Sequence, residues 1–379
     1  MLRRNILKGA VARAAFPILP AKARFVSTPP VIVGASGVPP PPPLQGTIHH
    51  VPASSRDQTS LVQNTINAAV PGDTIFFDSG MHVIYGTIIP RRNLLYIGPT
   101  VQFNGQARAV LQFSDGNHVQ FQAGVNNCTI YGLTFLRTEI DFVNCSAITF
   151  TNNIFDGHGG ARFPNTTLHF FPGGFNIRTQ WNTFLNMPNG GAIWTYNPNN
   201  MTVTHNYFKN IMQSISITNE GAGGNNNIIT FNYIGSTKRF SIEVAESSLA
   251  APPSTGWLIN DNYAVGKPGI SIVAAGTPEI ARNFIDRTVN GADFGGIEFQ
   301  CRGTGHIHDN YVRLDASATG LVAGIYGSYD ATDTSLVQNN NLFNCDTNVP
   351  AYSGGLAVVS GTTHNDLGMP PIPMSGAGP

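Results

Sequence analysis

The sequence Thr202-Val203-Thr204-His205-Asn206-Tyr207-Phe208 contains the pattern that decides the fold: a short alternating strand, then asparagine, then a new strand. This asparagine recurs along the chain, and the residue two places after it is usually apolar. The repeated asparagines are Asn153, Asn182, Asn206, Asn232, Asn262, Asn283, Asn310 and Asn341. Intervals of 21 to 31 residues between them predict a solenoid with one coil per repeat. Their unevenness favours a β-helix with turns of variable length over a propeller.

These asparagines are interpreted as structural. An asparagine tolerates tight turns, and its side-chain amide can pair with the backbone and with the asparagine one coil above. The repeat therefore predicts an asparagine ladder inside the solenoid, and we assign it no catalytic role.

A second alternating strand follows each asparagine turn after a variable loop. Its flanking apolar residues are expected to face the core and its middle residue to face outward, because side chains alternate along a strand. The predicted outward column is Asp141, His169, Trp194, Ser216, Glu243, Ser271, Glu298, Tyr326 and Ala357. A second outward column is Phe171, Tyr196, Thr218, Ala245, Val273, Gln300 and Ser328.

The segment from Ile66 to Ile75, with Pro71-Gly72 inside it, resembles the start of proteins of the pectate-lyase-like superfamily. The resemblance spans roughly residues 47–360 and implies an all-β, single-stranded right-handed parallel β-helix with a short N-terminal capping helix. It also implies that saccharides lie along the sheet of the outward column. The active-site motifs of the uronan epimerases, the polygalacturonases and the classical pectate lyases are missing, so no specific family is identified.

Two carboxylates in the outward column are the predicted catalytic residues. Glu243 and Glu298 stand two coils apart, which places their Cα atoms about 9.6 Å from each other at about 4.8 Å per coil. The pair can suit an inverting glycosidase, in which one carboxylic acid protonates the leaving oxygen and the other activates water. Which residue takes which role stays open, and so does the alternative of two solvated carboxylates paired with Lys238, Arg239 or Arg302. Glu220 and Glu246 are reserve candidates.

The predicted substrate-binding residues surround this pair. Aromatic rings beside polar groups are typical of a sugar-binding surface, since the C–H faces of sugars stack on aromatic rings. The expected contacts are Trp194, Tyr196, Ser271, Gln300, Arg302, Tyr326, Asp141 and His169. An Asp141–His169 pair, near Asp156 and His158, is either a general base with its orienting acid or an ion pair, and we favour the ion pair. No metal and no cofactor are expected, because Ca²⁺ needs clustered acids and this column offers them singly.

Composition limits the function. The 379 residues contain 21 basic and 21 acidic side chains, only 11% charged residues, 41 glycines and 26 prolines. No basic surplus is available for nucleic acid, no apolar run is long enough for a membrane span, and a helical bundle is disfavoured.

The expectation is an exported enzyme that cleaves a polysaccharide or oligosaccharide, most simply an inverting glycoside hydrolase. The alternatives are a polysaccharide lyase acting on a uronate-containing glycan and a non-catalytic glycan-binding surface protein.

The chain ends carry the remaining expectations. Residues 1–23 resemble a twin-arginine export signal, with Arg3-Arg4 and an Ala21-Lys22-Ala23 cleavage site, and predict a periplasmic or secreted protein. A basic arm or a mitochondrial presequence is the alternative. Cleavage removes five of the 21 positive charges, leaving 16 basic and 21 acidic residues, a net charge of −5.

Residues 24–46 read as a proline-rich linker, 47–360 as the β-helix and 361–379 as a Pro/Gly-rich tail. The four cysteines are expected to be small buried residues, and the protein to be a monomer or a homotrimer.

Overall fold

The computed structural model is a parallel β-solenoid with one helix among the residues that it describes. The described residues are 38–99, 108–114, 118–157, 168–170, 175–219, 224–236, 239–246, 254–266, 269–286, 296–301, 304–313, 324–327, 335–343, 352–353, 358–360 and 363–364. Every strand pairing within them is parallel, because each coil lays its strands on those of the previous coil. The predicted all-β, right-handed parallel β-helix with a short N-terminal helix is confirmed.

The helix covers the first coils. It spans Thr59–Ala68, and its buried Val62 and Ile66 pack into the core. Asp57 accepts hydrogen bonds at its start from the backbone N–H and hydroxyl of Thr59, at 3.0 and 2.6 Å. The helix is the short N-terminal helix that the resemblance implied, and its Leu61 is 43% exposed.

One sheet, here called sheet A, precedes the asparagine turns. It contains 13 strands. They are Ile48–Val51, Thr74–Phe77, Leu95–Ile97, Asn126–Tyr131, Ser146–Thr151, Arg178–Gln180, Thr202–Thr204, Ile228–Thr230, Thr255–Asn260, Thr277–Ala281, His306–His308, Leu336–Gln338 and Val358–Ser360.

The other 21 strands form two ladders joined at a corner, because the long strands Thr183–Tyr196 and Tyr207–Asn219 run through both. Sheet B follows the asparagine turns and contains the first halves of those two strands. Its other strands are Ser54–Asp57, Gly80–Ile84, Ala109–Phe113, Thr134–Leu136, Ile154–Asp156, Tyr233–Ser236, Tyr263–Gly266, Phe284–Asp286, Tyr311–Arg313, Asn341–Phe343 and Thr363–His364.

Sheet C carries the predicted outward column and contains the second halves of the two long strands. Its other strands are His118–Phe121, Glu139–Phe142, Leu168–Phe170, Ile242–Glu246, Ile270–Ala275, Ile297–Cys301, Ile325–Gly327 and Tyr352–Ser353. Sheet C therefore runs along the solenoid as a continuous surface on which groups from successive coils lie side by side.

Stacks of identical side chains fill the core. Phe135, Phe155, Phe184 and Phe208 of sheet B stack in order, with ring centroids 5.1, 4.8 and 4.7 Å apart. A straight stack of this kind forms because successive strands keep the same register, so equivalent side chains lie one coil above another.

The asparagine ladder is present and buried. At each step, Oδ1 of one asparagine accepts hydrogen bonds from the backbone N–H and the side-chain amide of the previous one; Asn232 accepts both from Asn206 at 3.0 Å. The final position needs a correction. The ladder continues from Asn310 to Asn340, at 3.0 and 2.9 Å, whereas Asn341 begins the next strand. Three consecutive asparagines made the two positions indistinguishable by pattern.

The residue before each ladder asparagine adopts a left-handed backbone. Even the bulky Trp181, His205 and Phe231 do so, with φ of 57°, 55° and 56°. Such a conformation is disfavoured for large side chains. Two features of the turn offset that strain: the ladder hydrogen bonds and the stacking of these rings, whose centroids are 4.3 and 5.1 Å apart.

The C-terminal register also departs from the prediction. Ser353, not Ala357, is the partner of Tyr326, and Val358 belongs to sheet A instead of sheet C. Ala357, Phe171 and Ser328 lie outside the described residues. The interval from Tyr326 to Ser353 is 27 residues, the same as the interval from Ser271 to Glu298, so coil length alone would have placed Ser353 in the column.

Three cysteines confirm the prediction of small core residues. Cys128, Cys145 and Cys301 are buried and carry free thiols, and Cys345 lies outside the described residues. Burial raises the pKa of Cys128 and of Cys145 to about 11, so both thiols stay protonated at neutral pH. Among the described residues, no helix is long and apolar enough to cross a membrane.

Candidate functional site

Sheet C aligns the predicted column residue by residue. Register pairs join Asp141 to His169 and His169 to Trp194. The column continues from Trp194 through Ser216, Glu243, Ser271 and Glu298 to Tyr326. In the neighbouring column, Tyr196, Thr218, Ala245, Val273 and Gln300 also pair as predicted. The candidate site is therefore a row of side chains spaced at about 4.8 Å.

Glu243 lies within a set of hydrogen-bond donors. The buried Gln213 donates from its side-chain amide to Glu243 Oε2, and the hydroxyl of Ser216 donates to the same oxygen at 3.3 Å. Both donors come from the adjacent strand Tyr207–Asn219. Donors of this kind stabilise a carboxylate in its charged form and fix its orientation.

Glu298 has the opposite environment. Its Oε2 is buried and has no hydrogen-bond partner among the described residues. Burial raises the pKa of Glu298, and the negative charge of Glu243 raises it further. Glu298 therefore holds a proton to higher pH than an ordinary glutamic acid does.

The salt-bridge alternative finds no support in the part of the chain that the structure describes. There, neither Glu243 nor Glu298 forms an ion pair, and Arg239 is exposed with its backbone N–H bound to Met212 O at 3.0 Å. Lys238 and Arg302, the other predicted partners, lie outside the described residues.

Several predicted residues are placed only by their backbone. Ser271 lies between Glu243 and Glu298 in the column, while Gln300 and Tyr326 lie in sheet C at the predicted positions. Their side chains are outside the described part of the chain, as is the side chain of the reserve candidate Glu246. The other reserve candidate, Glu220, lies outside the described residues altogether.

His169 lies between two carboxylates instead of one. Its Nδ1 is 3.5 Å from Asp141 Oδ1 and 3.5 Å from Glu139 Oε1. Burial opposes protonation, but the two carboxylates outweigh it and raise the pKa of His169 to about 9. An imidazole that is protonated at neutral pH cannot act as a general base there, so the ion-pair interpretation is supported. Asp156, expected nearby, instead accepts a hydrogen bond from Asn186 at 3.1 Å, and His158 lies outside the described residues.

Aromatic rings continue the row next to His169. Trp194 is 38% exposed, and its ring centroid lies 5.7 Å from that of His169 and 6.0 Å from that of Tyr196. The predicted grouping of Asp141, His169, Trp194 and Tyr196 is therefore found. Along the sheet, Trp194 and Tyr196 are two coils, or about 9.6 Å, from the level of Glu243, whereas His169 is three coils and Asp141 four coils away.

Sequence reasoning missed two members of the site. Glu139 precedes Asp141 by two residues, so strand alternation placed it on the same face and could have identified it. Gln213 had no such signal. It lies near a register irregularity between Met187 and Gly191 of the neighbouring strand, where alternation fails.

No protein-family model matches the chain, and no curated protein sequence matches it either. Solved structures do resemble it. The A-module of the mannuronan C-5 epimerase AlgE4 of Azotobacter vinelandii is 13% identical, with a TM-score of 0.60 over 83% of this chain and 95% of that one. The catalytic unit of a GH87 α-1,3-glucanase of Streptomyces thermodiastaticus is 12% identical, with a TM-score of 0.56 over 87% and 70%. DFA-IIIase from Arthrobacter chlorophenolicus is 13% identical, with a TM-score of 0.52 over 80% and 90%.

These likenesses and the strand pairing define the class of protein. The chain is a parallel β-helix protein, with a row of carboxylate and aromatic side chains along one sheet. At 12–14% identity the likeness is one of fold, and the particular family is not identified by it.

Proposed function

We propose that the chain is a carbohydrate-active enzyme that cleaves a polysaccharide or oligosaccharide by inverting hydrolysis. Glu298 is the general acid and Glu243 the general base. The observation that carries the proposal is the unequal environment of two carboxylates in one column. Glu298 has a raised pKa and a buried oxygen that finds no hydrogen-bond partner among the described residues, whereas Glu243 accepts hydrogen bonds from Gln213 and Ser216.

The difference between these two environments matches the two roles that carboxyl groups take in glycoside hydrolysis. The acid must hold its proton near neutral pH, and the base must be ionised and oriented toward water. The Cα atoms of the two residues are about 9.6 Å apart, two strands along the sheet. From there, flexible side chains can hold their carboxyl groups at the ~6.5–9.5 Å of inverting enzymes, whereas retaining enzymes need only ~5–5.5 Å.

The substrate is proposed to be a glycan bound along sheet C. Trp194 and Tyr196 offer ring surface two coils from the level of Glu243, a distance that an oligosaccharide spans. Asp141, His169, Ser271, Gln300, Arg302 and Tyr326 are proposed to contact the same glycan. The structural neighbours named above include a glucanase and an epimerase of a polysaccharide, which supports a glycan as the substrate class.

A panel of polysaccharides tests the proposal. New reducing ends, with the anomer of the first product determined by NMR, are the expected result for the wild type. Glu298→Gln and Glu243→Gln are each expected to lower kcat by at least about a hundredfold. Glu279→Gln, on the outside of sheet A, removes a carboxylate away from the column and is the matched control.

Other results would overturn the proposal. An unsaturated product, detected by its ultraviolet absorbance, would assign a lyase acting on a uronate-containing glycan. Retention of glycan without cleavage would assign a binding protein. Full activity of both glutamine variants would exclude the carboxylate pair.

We also propose that the protein is exported through its N-terminal 23 residues, which lie outside the described part of the structure. Fractionation of cells producing the full chain is expected to find it outside the cytoplasm. Replacing Arg3 and Arg4 together by lysine is expected to retain it inside, and unchanged export would contradict the twin-arginine assignment.

A further inference from the structure

Three metal-ligating side chains converge at one end of the sheet C row. Asp141 and His169 are register partners on adjacent strands, and Glu139 precedes Asp141 by two residues on the same face. One ligand atom from each lies within 4.8 Å of the other two. We propose that Glu139, Asp141 and His169 bind a divalent transition-metal ion of the zinc class.

The distances between these groups match those between ligand atoms around one shared ion. His169 Nδ1 is 3.5 Å from an oxygen of each carboxylate. Around a tetrahedral ion with bonds of about 2.0–2.1 Å, neighbouring ligand atoms are about 3.4 Å apart. The two separations therefore match two edges of a coordination tetrahedron.

The kinds of ligand atom indicate which ion the site binds. Imidazole nitrogen suits zinc and the neighbouring transition metals, whereas Ca²⁺ and Mg²⁺ prefer an all-oxygen shell. Two carboxylates neutralise a divalent ion, and the neutral imidazole completes three protein ligands. Binding of the ion releases the imidazole proton of His169.

Three protein ligands leave a fourth position for water or a hydroxyl group. His169 and Trp194 are neighbours in the column, so a group held at that position lies beside an exposed aromatic ring. The site is separate from Glu243 and Glu298, and the proposal does not depend on the hydrolytic function.

A second histidine with two carboxylates provides a matched control. His308 Nε2 is 3.7 Å from Glu279 Oε1, while its Nδ1 is 3.0 Å from Asp309 Oδ2. The two carboxylates approach different ring nitrogens on opposite sides of the ring. Their ligand atoms therefore do not converge on one point, and His308 should not contribute to an ion site.

Competition with a chromophoric chelator tests the site, with the tag-free full chain stripped of metal and titrated with Zn²⁺. One tightly bound ion per chain is expected for the wild type and for His308→Gln. His169→Gln and Asp141→Asn are each expected to weaken binding at least about tenfold. Substitution with Co²⁺ should give the visible absorption of a tetrahedral site in the wild type and lose it in His169→Gln.

Circular dichroism establishes that each variant folds, and Glu139→Gln replaces any variant that does not. The proposal is overturned if the wild type binds no Zn²⁺ in this competition. It is equally overturned if His169→Gln and Glu139→Gln bind as tightly as the wild type, because the ion then lies elsewhere.

Discussion

The side-chain amide of Gln213 donates a hydrogen bond to Oε2 of Glu243 from the adjacent strand. Gln213 is 5% exposed, so water competes little for either group. In the proposed mechanism, Glu243 must present its other oxygen to the attacking water. The hydrogen bond holds one oxygen and leaves the second available, which makes Gln213 a positioning residue.

Gln213→Met is expected to lower kcat by about tenfold to a hundredfold and to change KM little, because a misplaced base affects the transition state more than substrate binding. Steady-state kinetics on the cleaved glycan measure the two effects separately. Gln180→Met, on the outside of sheet A, is the control for the substitution itself. A rise in KM at constant kcat would contradict the positioning role.

Glu298→Gln is expected to stabilise the protein as it inactivates it. Because the pKa of Glu298 is raised, the folded protein holds this proton to higher pH than the unfolded chain does. The free energy of unfolding of the wild type therefore falls as pH rises from the ordinary glutamate pKa of ~4.3 through the raised value.

Melting temperatures of wild type and Glu298→Gln over a pH series check this prediction. The variant should melt higher above the raised pKa, with the difference vanishing below the ordinary range. Glu279→Gln, whose carboxylate lies near Arg282 and His308, should show no such gain. A Glu298→Gln variant that melts lower than the wild type at alkaline pH would contradict the prediction, because the folded protein would then stabilise the charged form of Glu298.

Trp194→Ala is expected to weaken glycan binding by about tenfold, the scale of an aromatic contact worth roughly 0.5–1.5 kcal/mol. Phe231→Ala is the matched control, because Phe231 is similarly exposed (44% against 38%) but lies at the asparagine turn away from sheet C. Isothermal titration with the substrate on an inactive Glu298→Gln background measures both. Equal losses at the two positions would count against binding along sheet C.

Asn232→Ala is expected to lower the free energy of unfolding by about 3 kcal/mol, since it leaves buried polar groups of two coils without partners. Asn232 accepts two hydrogen bonds from Asn206, and its amide donates to Asn262 Oδ1 at 2.9 Å and to Val203 O at 2.9 Å. Urea unfolding checks the value. Asn64→Ala, on the exposed side of the helix, should change it by less than about 0.5 kcal/mol. Similar losses at both positions would show that the ladder adds nothing specific.

The local repeat made most of the fold predictable. Alternation in Ile242-Glu243-Val244 is enough to turn the carboxylate outward, because the two apolar neighbours are buried. The same logic placed Trp194 and His169 in one column. It failed at Asn341 and Ala357, because three consecutive asparagines and the alternating segment Leu356-Ala357-Val358 each allowed a second register.

By itself, the sequence determined the solenoid, the asparagine ladder and the outward column, because each depends on a period of two within strands and a repeat between coils. Only the tertiary structure decided the chemistry of the column. It placed Gln213 against Glu243 and buried an oxygen of Glu298 that has no partner in the described part of the chain. It also brought Glu139 as well as Asp141 within 3.5 Å of His169. Burial and hydrogen bonding between coils depend on side-chain positions in three dimensions, and residue spacing along the chain does not contain them.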